Sequence, residues 1–169
     1  PGGWVASTHV DFLRGVSQMW RISDDLWDRW EDIYQQFPRL ARWAPMQRTG
    51  HWADADMLPL GHIGLRAERG DDRQSKLTCD EQKTLLTLWS MGRSPLMVGG
   101  DLPTSNADTI VLLANPALRE VTAGSSGNRE IVRERLFAEW NVEESFIGEL
   151  IAWTAKASDW ADGTDRKSV

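Results

Sequence analysis

The residues able to do chemistry gather in two segments, Met19-Trp20-Arg21-Ile22-Ser23-Asp24-Asp25-Leu26-Trp27-Asp28 and Gly50-His51-Trp52-Ala53-Asp54-Ala55-Asp56-Met57-Leu58. In each, a short apolar run closes in acidic residues beside tryptophan. Carboxylates and an arginine bond hydroxyl groups, and indole faces cover apolar C–H surface, so the pairing suits a neutral polyhydroxylated ligand such as a sugar. Asp25, placed at a strand end and partly desolvated by Trp20 or Trp27, has the setting of a general acid/base, because burial favours the protonated carboxyl. Direct pairing with Arg21 would oppose that shift, so Arg21 is better assigned to a sugar hydroxyl, with a surface salt bridge as its plainer role. Asp24 and Asp25 have a plainer role too, as cap and first-turn carboxylates of the helix that follows. Asp28, Glu31 and Asp32 read as the solvated face of that helix.

Asp54-Ala55-Asp56 also fits a loop holding a divalent cation and a nucleotide-sugar diphosphate, with His51 as a third ligand. Two carboxylates make a poor cage, and His9, His51 and His62 show no metal-motif spacing, so no metal and no cofactor are expected. The plainer alternative is a turn in which the aspartates bond nearby amides. Cys79 reads as an inert packing residue at a helix start, and Gly99-Gly100 as a place of close packing, because it lacks the lysine and spacing of a phosphate loop. No Gly-x-Ser-x-Gly elbow occurs, which leaves Ser/His/Asp hydrolysis without support.

Positioning these groups requires a scaffold, and the sequence outlines one. Residues 17 to 23 read as a short strand, after which Leu26, Trp27, Trp30, Ile33, Tyr34 and Phe37 recur at helical spacing up to Pro38. A second strand end falls at 50 to 58, followed by a long polar loop over 61 to 77. Thr78-Cys79-Asp80-Glu81 is a capping box opening a helix with Leu85, Leu88 and Trp89, which Gly92 and Pro95 stop. Leu96-Met97-Val98 predicts a buried strand, and Ser105 a cap for a helix carrying Ile110 and Leu113 that ends before Asn115-Pro116. Three strand-helix units imply an α/β fold with parallel strands and functional groups at their C-terminal ends.

From about Gly124 the pattern changes. Ser125-Ser126-Gly127 reads as a turn, 129 to 135 alternates apolar and charged residues, and 146 to 154 is a second strand-like run, which together predict a separate antiparallel module. The stretch from Asp162 to Val169 looks like a hairpin turn leading into a further strand, and the Pro1-Gly2-Gly3 start suggests a piece of something longer.

Composition narrows the partners. The 169 residues are 41% hydrophobic and 26% charged, the make-up of a globular chain and not of a disordered one. A net charge of −6 with no Lys/Arg run argues against nucleic acid and anionic membranes. No run reaches the ~18 to 20 apolar residues of a membrane span. One cysteine excludes an internal disulfide framework. Ten tryptophans against one tyrosine favour either a large aromatic core or a sugar-stacking surface.

Four linked stretches, in order, carry a resemblance. Trp20-Arg21-x-x-x-Asp25, Trp52-x-Asp54-x-Asp56-Met57-Leu58, the helix from Leu77-Thr78-x-Asp80-Glu81-Gln82 to Leu88-Trp89, and Ser94-Pro95-Leu96-Met97-Val98-Gly99-Gly100-Asp101-Leu102 together resemble glycoside hydrolase family 27, the α-galactosidase and α-N-acetylgalactosaminidase group. The resemblance covers roughly residues 1 to 160. It implies a TIM (β/α)8 barrel followed by an antiparallel β-domain, with residues 1–123 as the last three strand-helix units and 124–169 as the start of the second domain. It implies removal of terminal α-linked galactosyl groups with retention, Asp25 as general acid/base, and Arg21, Asp56 and Met57 as substrate-binding residues. The family's nucleophile sits in a Lys-x-Asp segment that this sequence does not contain, so the chain alone is expected to be inactive.

The resemblance implies a carbohydrate partner and leans toward a secreted or periplasmic location. Alternatives are action on a related glycoside, α-N-acetylgalactosaminide or β-L-arabinopyranoside, and a non-catalytic sugar-binding module. Two departures stand out. The usual Trp-Asn-Asp-Pro-Asp is here Trp52-Ala53-Asp54-Ala55-Asp56, which gives up the rigidity of a proline. The usual Asn-Gln-Asp is here Thr122-Ala123-Gly124, at the expected junction between barrel and β-domain.

Overall fold

A computed structural model describes residues 5–67, 69–140 and 143–157. Helix α1 (Val10–Val16) leads into strand β1 (Met19–Arg21), which pairs in parallel with β2 (Trp52–Asp54) in the register Trp20↔Ala53 and Arg21↔Asp54. Between them lie α2 (Trp30–Tyr34) and α3 (Gln36–Trp43). Helix does follow β1, but Leu26 and Trp27 precede it, and Pro38 does not end it. As the third residue of α3, Pro38 occupies the first helical turn, where an N–H has no intrahelical acceptor to lose.

The 61–77 segment is not a plain loop. It carries a small antiparallel ladder of β3 (His62–Ile63) and β4 (Arg73–Gln74). Next comes α4 (Cys79–Gly92), and here the capping box forms: the Glu81 amide donates to Thr78 Oγ1 at 3.3 Å, and the Thr78 amide donates to Glu81 Oε2 at 2.7 Å. Its Leu85, Leu86, Leu88 and Trp89 are buried, and Arg93 closes it in the left-handed region at φ 54°. Gly92 fits against the Leu40 side chain, where a Cβ would crowd Leu40 at 2.8 Å.

The expected strand at 96–98 is reduced to one parallel bridge, Leu58↔Val98, with the Leu58 amide donating to the Met97 carbonyl at 2.7 Å. Nor is it deeply buried, since Met97 is exposed and Leu96 and Val98 are half-buried. Gly99 and Gly100 do pack closely: a Cβ on Gly100 would run into the Leu60 carbonyl and one on Gly99 into the Met57 sulfur. Helix α5 (Ala107–Leu113) is capped by Asn106, whose side chain accepts the Thr109 amide, and not by Ser105. Ser105 instead accepts the His62 amide. Asn115 caps one more helix, α6 (Pro116–Gly124), where proline at the first position is favourable.

Beyond α6 the chain forms a long antiparallel hairpin, β5 (Ser125–Trp140) and β6 (Glu143–Ala157). The Ser125-Ser126-Gly127 turn becomes a register irregularity inside β5, with Gly127 at φ 65°. Trp153 packs against the main core. The predicted turn at 162–169 lies outside the described residues. One buried cluster joins the sheet to the helices: Trp20, Ile22, Ala53 and Leu58 from the strand segments meet Leu40, Trp43, Leu85 and Trp89 from α3 and α4. Among the described residues no helix is long and apolar enough to cross a membrane.

Candidate active site at the ends of β1 and β2

Arg21 and Asp54 are the paired last residues of β1 and β2, so both strands deliver their following loops to one end of the sheet. The loops are then tied together. Ser23 Oγ donates to the Ala55 carbonyl at 3.2 Å, and the Leu26 amide donates to Asp56 Oδ2 at 2.6 Å. Arg21 joins the carboxylates, with Nη1 2.8 Å from Asp56 Oδ1 and Nη2 3.4 Å from Asp25 Oδ1. The structure therefore brings Arg21, Asp25 and Asp56 into one cluster, with Met57 half-buried next in the chain.

Two expectations about this cluster change. Arg21 pairs directly with both carboxylates, so a sugar hydroxyl that it bonds would share the guanidinium with them. The Asp25 side chain keeps 58% of its exposure, and Trp20 does not desolvate it, because that ring is buried against Trp43 at 6.0 Å. Trp52 is similarly occupied, with the Arg93 guanidinium 4.8 Å over its ring. Of the three tryptophans in the two opening segments, Trp20, Trp27 and Trp52, only Trp27 lines the cleft beside Asp25. Capping does not explain the acids either: α2 has Arg29 at its N-cap with no side-chain cap bond, and Asp24 and Asp25 are exposed.

Asp56 sits at φ 87°, a conformation uncommon for a residue with a Cβ. Its amide donates to Asp54 Oδ1 at 2.9 Å, and its carbonyl accepts Trp89 Nε1 at 3.0 Å. This is the turn with aspartate bonding a nearby amide that the sequence offered as the alternative to a metal loop. His51 Nδ1 lies 3.1 Å from the Ser17 carbonyl, and the described residues contain no group of three His, Cys, Asp or Glu placed to hold a metal ion. The lost proline has a structural counterpart: the Ala55 amide donates to the fully buried Ser94 hydroxyl at 3.0 Å, a bond proline cannot make.

Burial raises the pKa of Asp54 above the ordinary carboxylate value, partly offset by its bond from the Asp56 amide and the nearby Arg21 charge. A carboxyl with a raised folded pKa weakens the fold at pH above that pKa and stops doing so once pH falls below its unfolded value near 4. Asp54→Asn keeps the Oδ1 acceptor and removes the charge. It is expected to stabilise the protein at pH 7, with the gain vanishing by about pH 4. Urea melts at both pH values check this; an equal gain at each, or a loss, would refute it.

Asp28 was misread from sequence. It precedes α2, its side chain is only 3% exposed, and it accepts Arg73 Nε at 3.0 Å, Arg73 Nη2 at 2.5 Å and the Lys76 amide at 3.0 Å. Burial pushes its carboxyl up, but the Arg73 and Lys76 bonds outweigh that and hold it below the ordinary value. Asp32 is also engaged, with Arg29 at 2.7 Å, whereas Glu31 is exposed as expected. Cys79 is exposed and not packed.

Comparison with known proteins identifies the family. The family model described as Alpha galactosidase A matches residues 5–123. α-Galactosidase 2 of Arabidopsis thaliana is 27% identical over 140 residues, covering 83% of this chain and 32% of its own. The α-N-acetylgalactosaminidase of Homo sapiens is 26% identical over 148 residues, covering 82% of this chain and 32% of its own. Among solved structures, a family 27 β-L-arabinopyranosidase from Geobacillus stearothermophilus superimposes with a TM-score of 0.82 at 37% identity, over 95% of this chain and 34% of that one. The chain thus spans about a third of the length of these relatives.

Proposed function

The chain belongs to the α-galactosidase A family, glycoside hydrolase family 27, and from that premise we propose that the full-length protein is a retaining hydrolase of terminal α-D-galactopyranosyl groups. The observation carrying this reading is the Arg21 guanidinium bonded to both Asp25 and Asp56 where two adjacent parallel strands end. Asp25, more than half exposed, is the group free to meet a glycosidic oxygen. It gives that oxygen a proton as the C1–O bond breaks and a carboxylate elsewhere in the protein bonds C1. It then takes a proton from the water that hydrolyses the glycosyl ester. Retaining pairs of this kind stand about 5 to 5.5 Å apart. Asp56 and Arg21 hold the sugar hydroxyls, and Met57 packs against the ring.

Under this reading residues 1–123 supply the last three units of a (β/α)8 barrel and 124–169 open the β-domain. The parallel pairing of β1 with β2 and of Leu58 with Val98 supports the first part, and the antiparallel hairpin after Gly124 the second. The 169 residues contain no Lys-x-Asp segment, so on their own they are expected to be inactive.

A second glycone has specific support, because the β-L-arabinopyranosidase is 37% identical over nearly the whole chain. A β-L-arabinopyranoside has the ring configuration of an α-D-galactopyranoside without the exocyclic hydroxymethyl, so the same acid/base and hydroxyl contacts serve both. The test is turnover of the two p-nitrophenyl glycosides by the full-length protein, with the anomer released first read by proton NMR. Release of the starting configuration is expected, and the better substrate identifies the glycone. Initial release of the opposite anomer, or no turnover of either, would overturn the assignment.

A further inference from the structure

A cavity of about 620 Å³ opens beside Asp25, lined by Asp24, Trp27, Arg69, Arg73 and Lys76 among others. It includes Asp25 but neither Arg21, Asp56 nor Met57, so Asp25 is the residue it shares with the sugar-binding cluster. A group that protonates a leaving oxygen must have the sugar on one side and the leaving group on the other. The volume is that of a small-molecule site. Part of its lining comes from the segment after β1 and part from the 69–76 stretch around β4.

The second part of the lining is organised by one side chain. Arg73 spends Nε and Nη2 on the buried Asp28 carboxylate, and Nη1 on the Arg69 carbonyl at 3.2 Å and the Asp71 carbonyl at 2.9 Å. Gly64 and Gly70 leave it room, since a Cβ at either would approach Arg73 Nη1 to 3.0 or 3.2 Å. Asp28 lies three residues past Asp25, so the fork fixes this wall to the backbone that carries the proton donor. A buried charge pair of this kind is weak evidence for stability and better evidence for fixed geometry.

Resting on the reading of Asp25 as acid/base, we propose that this cavity receives the leaving group and that Asp28 and Arg73 are positioning residues which set its outer wall and thereby select that group. The lining is ionic apart from Trp27, whose ring offers a stacking face. Such a surface matches a polyhydroxylated leaving group, a second sugar. An alkyl or lipid chain would desolvate those charges without replacing their hydrogen bonds.

The experiment compares kcat and KM of the full-length protein on an aryl glycoside and on a disaccharide with the same glycone. Arg73→Lys keeps the charge and loses the fork, and Asp28→Asn weakens the same tie. Each is expected to lower the disaccharide-to-aryl ratio of kcat/KM by about tenfold or more, mostly through the disaccharide KM, since small misplacements of a binding wall have effects of this order. Because a substitution at buried Asp28 risks the fold, Arg69→Ala with Lys76→Ala, both exposed, provides a second reading of the same ratio. Equal losses on both substrates, or an unchanged ratio in folded Arg73→Lys and in the surface pair, would overturn the proposal. Failure of the unsubstituted protein on both substrates would instead remove the reading on which it rests.

Discussion

Asp25→Asn in the full-length protein is expected to lower kcat/KM on a disaccharide by about 10³-fold, the range general acid catalysis supplies. The loss on p-nitrophenyl glycosides is expected to be much smaller in the bond-breaking step, because p-nitrophenolate leaves without being protonated. Asparagine matches aspartate in size and still accepts a bond from Arg21, so the substitution separates proton transfer from architecture. The second half-reaction also needs Asp25, there as base. The aryl substrate should therefore give a burst followed by slow turnover, and azide, a nucleophile needing no deprotonation, should restore the slow phase. Stopped-flow release of p-nitrophenolate with and without azide makes the check. If the disaccharide and the aryl glycoside lose activity by the same factor, with no burst and no azide effect, Asp25 is not the acid/base.

Some signals in the sequence survived into the structure, and those that depend on what a distant segment brings did so least. Thr78 and Glu81 are three residues apart and satisfy each other's amides whatever surrounds them, so the start of α4 was readable. The clustering of Arg21, Asp25 and Asp56 was readable because both segments end short strands in the same sense. Asp28 was not, because its charge is settled by Arg73, 45 residues away in a short strand that no local pattern fixes. The tryptophans failed for the same reason: whether an indole faces ligand or core depends on what reaches it, and Trp43 reaches Trp20 as Arg93 reaches Trp52. Pro38 was misplaced by a shorter-range effect, since proline breaks a helix interior but not a first turn, and the helix began later than its apolar spacing suggested. In the candidate site, sequence thus identified residue types and strand ends, while the partners that decide exposure and charge came from tertiary contacts.

Asp56 is where the largest stability effect is expected, and the order of its variants tests the backbone as well as the charge. Its carboxylate accepts both the buried Leu26 amide and Arg21, so Asp56→Ala leaves an amide without a partner and a half-buried guanidinium without its closer anion. Breaking such a pair from one side costs about 3 to 5 kcal/mol. Asp56→Asn keeps one acceptor and tolerates the left-handed region, so about 1 to 3 kcal/mol is expected. Glycine, elsewhere in a fold the less stable choice than alanine, is favoured at φ 87°. Asp56→Gly should therefore be more stable than Asp56→Ala by about 0.5 to 1 kcal/mol, giving the order wild type, Asn, Gly, Ala in chemical denaturation of the full-length protein. Activity should follow a different order. Every variant frees Arg21 from the anion that fixes its second nitrogen toward Asp25, so all three are expected to lose at least about 10²-fold in kcat/KM, with Asn little better than Gly. Alanine as stable as glycine would show that the backbone at this position is not held left-handed. An Asn variant with full activity would show that the Asp56 charge does not position Arg21.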